Sequence, residues 1–264
     1  MNNEKLASKS YYTYDGIKYP STLKIESIKN INYMNLTNKD VLIASYPKSG
    51  TLLISNIVFL LKKNAANEKE NLIDSKNNFK DLTFFIDIET EGKSNLQKVN
   101  ESNESKILRT HLLPKYVSSQ IEQSDTKTIY IIRNAKDVLV SYYNFMKYTY
   151  DGTWDEWYQL FKDKKLVFGD YFDHVNAWRE YSNHGKILFV HYENVLTCPK
   201  IEIEKIARFL NIHISGNVVT KIAQACSFDN MKSNFEEKFK SIEPKMNYFR
   251  KGQVDSWKGS LPNL

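Results

Sequence analysis

The segment that most constrains the fold of this chain is a short apolar run followed by a tight turn and a long helical pattern. The apolar run is Val41–Ser45, the turn reads Tyr46-Pro47-Lys48-Ser49-Gly50, and the helical pattern covers residues 51–63. This succession predicts a strand, a loop and a helix. Because such a loop turns backbone N–H groups and the positive end of the helix toward one point, a lysine and two hydroxyls there indicate a phosphate site.

Strand and helix patterns alternate along the rest of the chain. Strands are predicted at residues 106–111, 128–133 and 187–190, and helices at residues 136–147 and 200–210. Repeated strand–helix units predict an α/β fold, here a single domain over residues 1–264 with a central, mostly parallel sheet flanked by helices. Ligands on such sheets bind outside the carboxyl ends of the strands, where Lys48, His111 and Arg133 are expected.

Composition limits the function only weakly. The formal net charge of +6 suits an anionic ligand, but it is also common in lysine-rich chains without one. The two cysteines and five histidines show no metal-ligand spacing, so no metal is expected. No secretory pattern or membrane-spanning run is visible, which predicts a reducing, cytoplasmic location. Residues 64–80 and 91–105 are rich in polar side chains and are expected to be surface connections.

Three further groups of residues could complete a site for a ligand with two phosphates. Arg133 closes a predicted strand and Ser141 follows about two helical turns later, so both could reach a second phosphate. Residues 250–252 read Arg-Lys-Gly and could add two cations and a backbone N–H. His111 could take a proton from a substrate hydroxyl near pH 7. Taken singly, each is more often an exposed arginine, a solvated basic loop or a packed histidine.

A P-loop NTPase is disfavoured by the arrangement of the same residues. Lys48 precedes Gly50 instead of following it, and the strand at residues 128–133 ends in arginine and asparagine where a magnesium carboxylate should stand. A magnesium-dependent nucleotide kinase therefore ranks low. A nucleic-acid binder ranks lower still, because no RNA- or DNA-binding signature accompanies the positive charge.

Together the three motifs resemble those of the cytosolic sulfotransferase family. Residues 46–51 are similar to the 5′-phosphosulfate loop of that family, which is P-loop-like. Residues 133–143 are similar to its 3′-phosphate strand and helix, and residues 250–252 are similar to its C-terminal Arg-Lys-Gly loop. The resemblance covers residues 17–258. It implies 3′-phosphoadenosine 5′-phosphosulfate (PAPS) as donor, PAP as product, and transfer of a sulfuryl group to a hydroxyl of a small acceptor (a phenol, sterol or other alcohol) without a metal; the sequence also leaves an amine acceptor open.

The resemblance also implies a role for each matching residue. His111 would be the general base, Lys48 would stabilise the bridging oxygen, and Arg109 and Ser141 would assist catalysis. The donor-binding residues would be Lys48, Ser49, Gly50, Thr51, Leu52, Leu53, Arg133, Ser141, Tyr192, Cys226, Phe228, Arg250, Lys251 and Gly252. The acceptor-binding residues would be Phe84, Phe85, Tyr143 and Phe145, although plain core packing is an equally good interpretation of these aromatic side chains.

Several positions depart from the family pattern. Leu52 and Leu53 stand where the family has Thr-Trp, so one face of the adenine site is missing. Arg109 replaces a lysine, which keeps the charge but not the compact ammonium, and Cys226 replaces a threonine. The family's C-terminal dimer motif is absent, which predicts a monomer, or a dimer formed in some other way. These departures leave open an alternative, a catalytically weak PAPS- or PAP-binding sensor or scaffold.

Overall fold

A computed structural model describes residues 11–66, 83–86, 95–102, 104–182, 185–238 and 249–259 of the chain. Its strands are β1 Tyr11–Tyr14, β2 Ile17–Pro20, β3 Val41–Ser45, β4 Thr83–Phe85, β5 Ile107–Thr110, β6 Lys127–Ile132 and β7 Ile187–His191. Strands β3 to β7 form one sheet of order β4-β5-β3-β6-β7 in which every neighbouring pair is parallel. Strands β1 and β2 form a separate antiparallel hairpin.

Helices connect the strands of the sheet and cover it. They are α1 Ile25–Lys29, α2 Thr51–Ala66, α3 Asn95–Glu101, α4 Ser118–Ser124, α5 Ala135–Met146, α6 Trp154–Lys162, α7 Tyr171–Tyr181, α8 Tyr192–Thr197, α9 Pro199–Phe209, α10 Gly216–Ala225 and α11 Phe228–Lys238. Short 3₁₀ turns occupy Asn30–Tyr33, Pro114–Tyr116 and Ser256–Gly259. In the described ranges, no helix combines the length and apolarity needed to cross a membrane. The predicted α/β fold with a central parallel sheet is confirmed.

Strand β3 lies at the centre of the sheet, and all five of its residues are buried. Leu42 and Ala44 belong to the hydrophobic cluster on one face, whereas Val41 and Ile43 belong to the cluster on the other. This alternation follows from the two-residue period of a strand. A strand covered on both faces needs apolar residues at every position, which explains the uninterrupted apolar run in the sequence.

Helix α2 packs against one face of the sheet through residues three and four apart. Ile54, Ile57, Val58 and Leu61 are each at most 1% exposed and belong to the same cluster as Val41. Burying each of these side chains contributes about 1.5–3 kcal/mol to folding. The helix that follows the predicted phosphate loop is thereby fixed to the sheet.

The strand register brings three candidate residues to one edge of the sheet. Ala44 of β3 is paired with Thr110 of β5 and with Tyr130 of β6. Because the strands are parallel, the chain leaves all three of them at the same edge, and the next residues include Lys48, His111 and Arg133. The predicted position of these residues at the carboxyl ends of the strands is confirmed.

One of the two predicted surface connections is partly wrong. Within residues 91–105 the chain forms α3, whose Val99 is fully buried in the core. The side chain of Asn100 accepts a hydrogen bond from Asn35 N at 2.7 Å and donates one to Tyr33 O at 3.0 Å. The burial of Val99 and the two hydrogen bonds of the Asn100 amide therefore hold this helix against the core, although most residues of the segment are polar. In the other predicted connection, residues 64–80, the first three residues extend α2. Residues 67–80 and 91–94 lie outside the described part of the chain.

Candidate active site

The loop between β3 and α2 has a backbone shape that few residues adopt. Lys48 and Gly50 have φ angles of 67° and 112°, and a Cβ at Gly50 would lie 2.5 Å from Tyr192 Cδ2. Only glycine fits this second position, because a positive φ and a facing ring both exclude a side chain. The Oγ atoms of Ser45 and Thr51 are 2.7 Å apart and join the two ends of the loop.

Ser49 places an unsatisfied hydroxyl inside this loop. Its side chain is fully buried, and its Oγ has no hydrogen-bond partner among the described residues. Leaving a buried hydroxyl unsatisfied costs about 1–3 kcal/mol, so such an atom indicates a position that a ligand completes. Thr51, at the start of α2, adds the free N–H groups of a helix N-terminus, which favour an anion.

Lys48 carries its ammonium group over an aromatic ring. Its Nζ lies 4.2 Å from the centre of the Phe145 ring, on α5. Burial lowers the pKa of Lys48 to about 7, and the nearby charge of Arg133 lowers it in the same direction. The group therefore loses part of its charge near neutral pH, and a bound anion would restore that charge.

Arg133 is tied to the same loop from the neighbouring strand. Its Nη1 donates to the carbonyl of Lys48 at 2.9 Å, and its guanidinium lies 4.3 Å from the centre of the Tyr192 ring. The Tyr171 hydroxyl donates to the carbonyl of Arg133 and fixes the turn into α5. Arg133 is 8% exposed, and its Nε has no hydrogen-bond partner in the part of the chain described.

The segment at residues 249–259 is attached to α5 by a buried carboxylate. Asp137, 1% exposed, accepts hydrogen bonds from Asp255 N at 3.1 Å, Ser256 Oγ at 2.7 Å and Trp257 N at 2.9 Å. Arg250 in turn donates to Ser256 Oγ. Burial lowers the pKa of Arg250, and the positive charge of Arg133 lowers it in the same direction. We call this set of bonds around Asp137 the carboxylate clamp.

His111 faces the loop from β5 with one ring nitrogen already bonded. Its Nδ1 lies 2.8 Å from the carbonyl oxygen of Ser45. Since a carbonyl oxygen only accepts, Nδ1 must donate, and Nε2 of the neutral ring keeps its lone pair. Burial lowers the pKa of His111 to about 4 against the opposing effect of this hydrogen bond, and the charges of Arg109 and Lys48 lower it further.

Aromatic side chains surround this histidine. The ring centres of Phe85 and Phe168 lie 5.3 Å and 5.4 Å from that of His111. The Arg109 guanidinium lies 4.2 Å from the centre of the Phe85 ring and donates to the carbonyl of Thr83 at 3.4 Å. Phe85 and Phe145 thus stand beside His111 and Lys48 respectively.

The other two predicted acceptor residues, Phe84 and Tyr143, pack against further side chains. Phe84 packs against the core cluster, as expected for the neighbour of Phe85 on a strand. Tyr143 contacts Trp154 and Trp157, and its hydroxyl donates to Gly152 O at 3.4 Å. A surface cavity of about 350 Å³ includes Tyr143 in its lining but neither His111 nor Lys48; it is lined by Val140, Tyr143, Asn144, Lys147, Trp154, Arg250 and Lys251.

The remaining predicted donor residues lie around the loop and the C-terminal segment. Leu52 and Leu53 on α2 are partly buried against the core. Asn56 Nδ2 donates to Cys226 Sγ at 3.4 Å, and burial raises the pKa of Cys226 to about 12. A Cβ at Gly252 would lie 2.0 Å from the Phe228 ring. Ser141 is buried on α5, and Lys251 is exposed.

The sequence reasoning missed two residues that hold this arrangement. Asp137 was not singled out, although it is an acidic residue in the first turn of a helix. His174 is a packed residue, as its sequence context suggests, but the sequence does not reveal that its Nε2 donates to the carbonyl of His111 at 3.0 Å. The described residues contain no group of three or more His, Cys, Asp or Glu side chains that could hold a metal ion.

Comparison with known proteins agrees with this arrangement. A family described as Sulfotransferase domain matches residues 38–263. Sulfotransferase 1C2 of Oryctolagus cuniculus is 34% identical over 234 residues, which cover 83% of this chain and 76% of that protein. Sulfotransferase 1 family member D1 of Rattus norvegicus is 35% identical over 240 residues, covering 84% and 78%.

A solved structure shows the same relationship in three dimensions. The crystal structure of mouse sulfotransferase SULT7A1 complexed with PAP superposes with a TM-score of 0.78 at 25% identity, covering 96% of this chain and 89% of the other. The resemblance that the three motifs predicted is therefore confirmed: the chain belongs to the sulfotransferase family and is an enzyme that transfers sulfate to small acceptors.

Proposed function

We propose that the protein transfers the sulfuryl group of PAPS to a hydroxyl of a small acceptor, with His111 as general base. The observation that carries this proposal is the hydrogen bond from Arg133 Nη1 to the backbone carbonyl of Lys48. It brings together, at one edge of the sheet, two residues with cationic side chains from different parts of the chain, and the charge of Arg133 also acts on Arg250. A nucleotide phosphorylated at both the 3′ and the 5′ positions supplies the matching pair of anions.

The residues present fit the 5′ end of such a donor. The hydroxyl of Ser49 is buried without a partner in the described chain, and Lys48 stands at the N-terminal end of α2. We assign Lys48, Ser49, Gly50 and Thr51 to the phosphosulfate. The positive φ of Gly50 supports this, since a glycine there lets the loop backbone turn tightly where the Tyr192 ring excludes a side chain.

The 3′-phosphate is assigned to the cations around the carboxylate clamp. Arg133, whose buried Nε lacks a described partner, can offer its planar fork to the phosphate, and Arg250, Lys251 and Ser141 would complete the contacts. PAP in the mouse sulfotransferase structure supports a bisphosphate ligand in this fold. Gly252 would add a backbone N–H, and its lack of a side chain leaves the Phe228 ring in place.

The adenine base is assigned to the rings that border these two groups. Tyr192 stacks on the Arg133 guanidinium, and Phe228 lies against Gly252. Leu52, Leu53 and Cys226 complete the set, with Leu53 presenting an aliphatic surface where the family has tryptophan. An aliphatic contact replaces stacking on one side, so we expect weaker donor binding than a tryptophan would give.

His111 is suited to remove the proton of the acceptor hydroxyl. Its Nδ1–H is engaged by Ser45, so Nε2 is the atom that accepts the proton. The low pKa of about 4 keeps the ring neutral before the donor arrives. The negative charges of a bound donor oppose the effect of Arg109 and Lys48, raise this pKa and make proton transfer easier.

In the reaction, the acceptor oxygen forms a bond to sulfur as the bond from sulfur to the 5′-phosphate oxygen breaks. The proton of the acceptor goes to His111 Nε2, and the electron pair of the broken bond stays on PAP. The Lys48 ammonium stabilises the charge that develops on this leaving oxygen, and Arg109 contributes a second positive charge. We assign Phe85 and Phe145 to the walls of the acceptor site, because they adjoin His111 and Lys48.

Several expectations from the sequence stay predictions. They are the acceptor-binding role of Phe84 and Tyr143, the single domain over residues 1–264, the monomeric state and the cytoplasmic location.

Two measurements test the proposal. In the first, calorimetric titration compares adenosine 3′,5′-bisphosphate with 5′-AMP; we expect the bisphosphate to bind at least tenfold more tightly. Arg250→Met should remove most of this preference, since charge-assisted hydrogen bonds contribute about 1.5–3 kcal/mol. Equal affinity for the two nucleotides would contradict the assignment of the 3′-phosphate.

In the second, labelled PAPS is incubated with a panel of phenols, sterols and alcohols. His111→Ala should abolish sulfated product while keeping the affinity for the bisphosphate, whereas the exposed His213→Ala, a matched control, should leave both unchanged. Turnover unaffected by His111→Ala would remove His111 as the base. Tight bisphosphate binding without product on any acceptor would favour the sensor or scaffold.

A further inference from the structure

His174, on α7, has both of its ring nitrogens bonded inside the protein. It is 1% exposed; its Nδ1 lies 2.8 Å from the Tyr130 hydroxyl and its Nε2 lies 3.0 Å from the carbonyl oxygen of His111. The carbonyl can only accept, so Nε2 carries the proton and Nδ1 accepts from Tyr130. Three groups therefore form a directed chain from Tyr130 through His174 to the backbone of His111.

The chain of hydrogen bonds continues to the loop that holds Lys48. The ring of His111 donates from Nδ1 to the carbonyl of Ser45, the last residue of β3. The backbone of His111 is thus held from α7 and its ring is held from β3. Fixing both leaves the ring little freedom to turn, and Nε2 keeps one orientation.

A second donor on α7 holds the following peptide. Trp178 lies one helical turn after His174, and its Nε1 donates to the carbonyl of Leu112 at 3.2 Å. Tyr130 stacks on both, with ring centres 5.8 Å from His174 and 5.4 Å from Trp178. Two consecutive carbonyls after β5 are therefore bound by two ring N–H groups of one helix face.

His174 stays neutral under working conditions. Its complete burial lowers its pKa to about 3, so at pH 7 it keeps its lone pair on Nδ1 and its proton on Nε2. A neutral ring can accept a hydrogen bond from the Tyr130 hydroxyl and donate one to the His111 carbonyl at the same time. A protonated ring would carry a proton on Nδ1 and could no longer accept from Tyr130.

We propose that His174 is a positioning residue for sulfuryl transfer: through the carbonyl of His111 it holds the Nε2 atom of that ring in line with the acceptor hydroxyl. The inference rests on the proposed role of His111 as general base. His174 itself exchanges no proton, since the acceptor proton ends on His111 Nε2. Misplacing a catalytic group by about 1 Å costs about 100-fold in rate, which sets the scale of the expected effect.

The test compares His174→Phe with His174→Gln. Phenylalanine keeps a ring but removes both hydrogen bonds, whereas the glutamine amide can still donate near the position of Nε2. We expect His174→Phe to lower kcat about 10- to 100-fold, with the KM for PAPS and the Kd for PAP within twofold of wild type, and His174→Gln to recover most of kcat. Trp157→Phe is the matched control. It removes another buried ring N–H, which donates to Leu139 O at 3.3 Å, and should leave kcat unchanged.

A readout that does not depend on turnover accompanies the kinetics. Nitrogen-15 NMR of the His111 ring should show the proton on Nδ1 in wild type and a mixture of tautomers in His174→Phe. An unchanged kcat and tautomer in folded His174→Phe would overturn the inference, as would equal losses in the phenylalanine and glutamine variants. If wild type itself forms no sulfated product, the proposed function fails, whereas the tautomer comparison still decides whether His174 positions the ring.

Discussion

Binding of the bisphosphate should draw a proton onto Lys48. In the free protein, burial and the charge of Arg133 lower the pKa of this lysine to about 7. An anion in the loop favours the ammonium form and raises the pKa toward its ordinary value. At a pKa of about 7, roughly nine-tenths of the lysine is neutral at pH 8 and roughly one-tenth at pH 6. We therefore expect uptake of about 0.9 proton at pH 8 and about 0.1 at pH 6.

The sign of the pH dependence follows from the same pKa. Because the charged lysine binds the anion, affinity is fully present below pH 7 and falls up to tenfold per pH unit as the pH rises above 7. Isothermal titration of PAP in Tris and in HEPES at pH 8 measures the proton uptake from the difference in observed enthalpy. At this pH the ligand's phosphates are already deprotonated, so they release few protons.

The matched control is Lys48→Arg, whose side chain stays charged at all working pH values. It keeps any contribution from His111 and removes that of the lysine, so its proton uptake at pH 8 should be lower by about 0.9. Equal uptake by the two proteins would refute the reasoning, because it would mean that Lys48 is already fully charged in the free protein.

Three further outcomes can be checked with simple variants and reagents. Gly50→Ala should weaken PAP binding at least tenfold in a thermal-shift titration, because the new Cβ would clash with Tyr192 at 2.5 Å. Asp137→Ala should lower the free energy of unfolding in urea by about 2–4 kcal/mol, since three donors lose their acceptor; a loss under 0.5 kcal/mol would contradict the clamp. Iodoacetamide at pH 8 should modify the exposed Cys198 and spare Cys226, because burial raises the pKa of Cys226 to about 12. Mass spectrometry of the native protein after the reaction measures this, and modification of both cysteines would contradict the prediction.

The central part of the fold could be predicted because its signals are local. A short apolar run such as Val41–Ser45, followed at once by a turn, indicates a covered strand, and Gly50, two residues after Lys48, marks that turn. The β1–β2 hairpin has an equally local signal in the sequence. Asp15 and Gly16 have φ angles of 53° and 76° and form the Asp-Gly turn that joins the two strands.

The supporting contacts could not be predicted because their partners are far apart in the chain. Asp137 binds donors that lie 118 to 120 residues later, and no spacing rule connects them. His174 reads as an ordinary residue of an amphipathic helix until its distance to the His111 carbonyl is known. Strand β4 is only three residues long, too short for its period to be visible.

The carboxylate clamp gives the two halves of the donor site different connections to the fold. The loop at Lys48 is continuous with the central strand of the sheet, whereas Arg250 donates to Ser256, which in turn donates to the Asp137 carboxylate. The 3′ half of the proposed donor site therefore depends on a carboxylate that is not itself assigned to the ligand. Replacing Asp137 should shorten the residence time of the nucleotide, whereas the backbone of the loop at Lys48 should keep its shape.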